Sequence, residues 1–287
     1  MRIKKVLRFL LFGLFAFQTK AQSEFEKYGP YGAQVFTDIK TATADEKKVF
    51  KLDLSYQTLD AKALSRIQNF SNLQVLRLRN NNIGVYPDNM EKLVNLMYFS
   101  SYNNKLSSFL PKPQAYRSLH YLELQHCSID SIPASIAYLS LLSSFHFGNT
   151  NDTLKLPSTM RFMKKLKDLS FENCVLDSFP KPLFQISTLQ FLYLSNTNTK
   201  ALSSHFERLP DLEVLVIENN PLETIPFAIY KAQKLRVLAL RGNKLTRLPD
   251  SISQLEHLSV LDLRGNPIPA EEIEKIRLLL PGCEVKF

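Results

Sequence analysis

LRVLALRGNKL, residues Leu235 to Leu245, sets leucines at its first, fourth, sixth and eleventh places and an asparagine at its ninth. The same spacing returns 23 residues later in LSVLDLRGNPI, Leu258 to Ile268. Moving outward, units of 23 or 24 residues start at Val49, Leu73, Leu96, Leu119, Leu142, Leu166, Leu189, Leu212, Leu235 and Leu258, so the chain is a repeat array. The middle of each unit, x-L-x-L-x, alternates with the period of a strand that has one buried face. Most units continue into L-P-x-x-I-x-x-L-x-x-L, as in LPDSISQLEHL (Leu248 to Leu258). Its apolar residues fall three and four apart and suit a short helical turn begun by proline. A unit this small cannot bury its own apolar face and must stack on its neighbours.

These residues resemble the leucine-rich repeat family, in its 23-residue class with a Leu-Pro-x-x-Ile back half, from Val49 to Phe287. The resemblance implies an α/β solenoid. It would be a curved right-handed superhelix with a concave parallel β-sheet and short helical or 3-10 segments on the convex side. It also implies that the ninth residue of each unit turns inward and hydrogen-bonds the backbone of the turns. That column reads Gln57, Asn81, Asn104, Cys127, Thr150, Cys174, Thr197, Asn220, Asn243 and Asn266, each with a small polar group able to bond. Cys127 is therefore predicted to be scaffold. His126, one residue earlier, should face solvent, so the adjacent His-Cys pair is not a nucleophile with its base. Cys127 and Cys174 lie two units apart, about 10 Å at ~4.8 Å per strand, beyond the reach of a disulfide; both thiols should be free and buried.

The ends of the chain bound the function. Residues 1–21 carry a basic start (Arg2, Lys4, Lys5, Arg8), an apolar stretch Phe9 to Phe17 and small residues Thr19 and Ala21. This is the layout of a secretory signal, and the stretch falls short of the roughly 20 residues of a membrane span. Removing it takes away five basic residues, so the formal charge falls from +9 to +4, 31 basic against 27 acidic. That is too mild to argue for nucleic acid or anionic lipid. Residues 22–48 are expected to form an N-terminal cap, 49–268 the ten repeats, and 269–287 a C-terminal cap with an amphipathic helix (Ile273, Ile276, Leu280) and a closing strand CEVKF. Both caps would cover the open ends of the solenoid.

No segment outside the signal and the array has room for a catalytic domain, and no phosphate-binding glycine loop is present. His120 and His126 would stand roughly 20 Å apart if extended, too far to share a metal. The expectation is a non-enzyme without cofactor or metal. Its surface chemistry should sit at positions three, five and seven of the strands, opposite the buried leucines. Aromatic residues there gather as Tyr98, Tyr102 and Tyr121 and as Phe191 with Tyr193, with Glu123, His146, Asp168 and Glu172 between them. An exposed aromatic surface in a polar surround is the composition of a protein-binding hot spot. The reading is an exported, monomeric binding module for a protein or peptide, periplasmic, cell-surface or secreted. A glycan or cell-wall polysaccharide binder is the alternative, and a catalytic effector the weakest reading.

Overall fold

A computed structural model of the protein describes residues 23–87, 89–148, 153–176 and 179–287; the proposed export signal and Thr150 lie outside them. Twelve strands pair in parallel and in chain order, β1 to β12, as one open sheet. Strands β2 (Lys51–Asp53) through β11 (Val260–Asp262) rise from the ten units, and each pairs with the next in the same register, as in Val214↔Val237↔Val260. Leucines four and six of each strand face inward: Leu122, Leu124, Leu238 and Leu240 are fully buried. Truncating one such leucine to alanine costs about 2–5 kcal/mol. On the convex side, Pro133, Pro157, Pro180, Pro226 and Pro249 each precede a 3-10 turn with extended backbone. Proline's fixed φ prepares that entry.

At the ninth place, asparagine side chains hydrogen-bond the backbone of the turns. Asn243 Nδ2 donates to the carbonyls of Ile217 (2.6 Å) and Leu240 (2.8 Å), while its Oδ1 accepts the Leu222 N–H at 3.3 Å. Asn81, Asn104, Asn220 and Asn266 tie consecutive turns in the same way. Cys127 Sγ donates to Ser101 O at 3.2 Å and Cys174 Sγ to Glu172 O at 3.3 Å, and both thiols are free and buried. Thr197 donates its N–H to Asn220 Oδ1 at 2.8 Å. Ser101, which stands where other units have an apolar residue, is buried with its hydroxyl 3.0 Å from Asn104 Nδ2.

A second column was not foreseen. The eighth residue of nine units has positive φ: Tyr56, Asn80, Asn103, His126, Asn173, Asn196, Asn219, Gly242 and Gly265, between +51° and +72°. Here the chain leaves the strand through the left-handed region, which glycine occupies freely and asparagine and histidine tolerate better than most residues. His126 is thus a turn residue.

Both ends are closed. At the back, helix α3 (Ala270–Leu279; α1 and α2 are defined below) buries Ile276, with Leu280 just beyond it. Strand β12 (Glu284–Lys286) then pairs with β11, as CEVKF suggested. At the front, Asp38 caps a helical turn α1 (Ile39–Ala42). An added strand β1 (Val35–Phe36) covers the edge of β2. Helix α2 (Ala61–Arg66) stands on the convex side of the first unit.

Candidate binding surface

Positions three and five do form columns on the concave face, but burial there departs from expectation. Tyr98 and Tyr121, expected to be exposed, are 0% and 2% accessible, and Glu123, His146 and Asp168 are also buried. In-register parallel strands set each side chain directly beside its neighbours in the column. A bent sheet then crowds its concave side chains into one another.

The tyrosines have a further cover. Residues 23–27 form a helical turn that lays Phe25 and Tyr28 over Val75, Tyr98 and Tyr121, with Met97 at the margin. Phe25 meets Tyr98 edge-on with centroids 5.8 Å apart, and the Arg77 guanidinium sits 3.8 Å above the Phe25 ring. Burial pushes the Tyr98 phenol up to about 12. The stack continues from Tyr121 to His146 (5.3 Å), whose Nε2 lies 3.8 Å from Asp168 Oδ2.

A charged knot divides the face. Glu123 Oε2 accepts from Arg79 Nη2 at 2.5 Å and from the Ser100 hydroxyl, which in turn accepts from Arg79 Nε at 2.7 Å. Burial alone would pull the Arg79 guanidinium down; the Glu123 carboxylate together with Tyr98 and Tyr121 outweighs it and holds the group above its ordinary value. A buried pair of this kind fixes geometry more than it adds net stability. Along the seventh column, half-exposed Tyr102 rests 4.8 Å from His126, and Gln125 donates to Glu172 at 3.0 Å. Burial raises the Glu172 carboxyl, with His126 opposing.

Beyond the knot the face is more open. Phe191 and Tyr193, both half-exposed, pack against Val214, Val216, Val237, Ala239 and Val260. Glu218, Arg241 and Arg264 rim this apolar floor, with Arg264 Nη2 2.5 Å from the buried Asp262. Of the nine predicted residues, Tyr98, Tyr121, His146 and Asp168 thus form one buried row, Tyr102, Glu123 and Glu172 surround the knot, and Phe191 with Tyr193 starts the open half. Phe25, Tyr28, Arg77 and Arg79 were not among them. The one signal for the first two was the pair of aromatics in SEFEKY ahead of the array.

Among the described residues, no three His, Cys, Asp or Glu side chains are grouped to hold a metal ion. In the same set, no helix is long and apolar enough to cross a membrane.

Leucine-rich repeat family models match residues 210–268, and residues 72–93 and 118–139. No curated protein matches the sequence. Among solved structures, an internalin (inlF) from Listeria monocytogenes is 19% identical and superposes at a TM-score of 0.65, over 83% of this chain and 74% of that one. The PEPR1–AtPEP1 structure is 23% identical at a TM-score of 0.62, over 81% of this chain and 33% of that one. A plant peptide hormone receptor, RGFR1 in complex with RGF2, is 20% identical at 0.54, with 81% and 46% covered. The chain therefore spans less than half of the length of these last two, and the likeness is one of fold. The twelve-stranded parallel sheet, the asparagine column and the matched repeats agree: the chain carries leucine-rich repeats and folds as a leucine-rich-repeat solenoid.

Proposed function

We propose that the protein is an exported, non-enzymatic binding module that holds a protein or peptide on its concave sheet. The observation that carries this reading is the open half of the face. There Phe191 and Tyr193 stand partly exposed beside a floor of Val214, Val216, Val237 and Val260, and Glu172, Glu218, Arg241 and Arg264 follow one another at the seventh place along one margin of these strands. Aromatic anchors in a charged rim are what protein interfaces select. The family is generally a protein-interaction scaffold, and the solved neighbours include a receptor with its peptide hormone, which supports the same use. Residues 1–21 serve as the export signal in this reading, and residues 22–48, 49–268 and 269–287 as cap, repeats and cap. N-terminal sequencing of the exported protein should begin at Gln22.

The test is capture of partners by the purified exported chain. The Phe191→Ala/Tyr193→Ala double variant should lose its partner by at least ~2 kcal/mol, about thirtyfold, the scale of a hot-spot loss. The convex pair Lys231→Ala/Glu256→Ala should retain it. Loss in the convex pair alone would refute the reading. Retention on purified cell-wall polysaccharide, abolished by the same concave substitutions, would replace it with a glycan binder.

A further inference from the structure

The helical turn at residues 23–27 is not needed to close the solenoid. Strand β1 already pairs with β2, and α1 buries Ile39 and Ala42 at that end. The turn instead crosses the concave face. Lys51 of β2 donates from its ammonium to Glu26 O at 3.2 Å, Phe25 is sandwiched by Arg77 of β3 (Val75–Arg77) and Tyr98 of β4 (Tyr98–Ser100), and Tyr28 lies 5.6 Å from His120, just ahead of β5 (Tyr121–Leu124). Two aromatic side chains three residues apart, Phe25 on the helical turn and Tyr28 just after its last residue, thus fill the tyrosine half of the groove. The opposite side of the turn, Ser23, Glu26 and Lys27, faces solvent. The tether is Gly29-Pro30-Tyr31-Gly32, with both glycines at positive φ (+85° and +70°) and Tyr31 fully exposed. Such a link leaves the concave face sharply and packs little of its own.

We infer that the tyrosine half of the concave face is a docking groove for a short helical turn bearing two aromatic residues three apart, and that residues 23–28 occupy it in cis as a displaceable cover. The inference rests on the reading of the concave sheet as a binding surface. A partner segment with the aromatic-x-x-aromatic pattern gains Tyr98 and Tyr121 by displacing Phe25 and Tyr28. The tethered copy competes at an effective concentration set by its short link, on the order of millimolar, so a free segment of equal fit opens the groove only above that concentration, and one that fits better, or arrives joined to contacts on the open half, opens it below.

The probe is the synthetic peptide SEFEKYGPYG, residues 23–32, added to the full exported chain. The Phe25→Ala/Tyr28→Ala variant, whose own cover is weakened, should bind it at least about tenfold tighter than the unaltered chain does. Equal affinity in both proteins, or no binding by the variant at millimolar peptide, would overturn the inference. A second measurement does not depend on the variant's folding. In the unaltered chain, hydrogen exchange of residues 23–28 should accelerate at least about tenfold as the peptide saturates, and unchanged exchange would overturn the inference equally. A peptide with the residues equivalent to Phe25 and Tyr28 replaced by alanine should have no effect; if it acts as well as the original, recognition of the aromatic pair is wrong. Failure here leaves the open half at Phe191 and Tyr193 untouched, and loss of partner binding there leaves the cover untouched, so the two readings fail separately.

Discussion

Tyr98 and Tyr121 stack face to face, ring centroids 4.5 Å apart and planes 6° from parallel, and the N-terminal residues Phe25 and Tyr28 share their cluster. Adjacent parallel strands in register bring the rings to contact, since the strand spacing is close to the stacking distance. The cover then removes them from water.

Removing the cover should therefore return the tyrosines toward ordinary behaviour. Burial holds the Tyr98 phenol near 12, so spectrophotometric titration of the Phe25→Ala/Tyr28→Ala variant should show it moving down toward 10. In the native protein the raised value contributes stability that is complete below pH ~10, where unfolded tyrosine stays protonated. That contribution is lost as pH rises from ~10 through ~12. The variant should lose less stability across this interval, and identical pH profiles for the two proteins would contradict the assignment.

Cys127 and Cys174 occupy ladder positions with one thiol each to do an amide's work. Replacing either with alanine should lower unfolding free energy by about 1–3 kcal/mol through turn carbonyls left unbonded, with partner binding unchanged. Burial pushes the Cys127 thiol up to about 11 and Cys174 is shut away from solvent, so neither buried thiol should react with a thiol reagent in the native protein at pH 7. Rapid labelling at Cys127 or Cys174 would count against the burial.

The left-handed column makes opposite demands on neighbouring positions. His126→Asn should leave stability within about 0.5 kcal/mol, whereas His126→Val should cost about 1–2 kcal/mol, because a β-branched residue resists positive φ. Gly242→Ala should also destabilise: its φ is +67° and an added Cβ would collide with Asn219 Oδ1. Denaturant titration of the three variants gives the order, and a neutral His126→Val would refute the backbone argument.

The C-terminal cap should be indispensable to solubility. Deleting Glu271 to Phe287 strips β12 from β11 and uncovers the core beneath Ile276 and Leu280. The exposed edge and apolar end should drive aggregation. A truncated chain that elutes as a monomer with an unchanged melting temperature would show that these residues cap nothing.

The repeat period, the strand positions, the proline-led turns and the ladder were legible in the sequence because each is a local pattern that recurs along the array. Leucine at a fixed offset leaves a single consistent register, so LRVLALRGNKL already implied the inward face of every strand and the slot of Cys127. The eighth-place column of asparagine and glycine was equally present in the letters, and its meaning rests on backbone angles that periodicity of hydrophobic residues does not report. Which concave residues meet water was decided only in three dimensions. Bending the sheet crowds the concave side chains of neighbouring units against one another, and Phe25 reaches Tyr98 across 73 positions of the chain. A period-two alternation assigns a side to each residue. Burial of that side depends on what else the folded chain lays over it, and here the cover comes from the segment ahead of the first repeat.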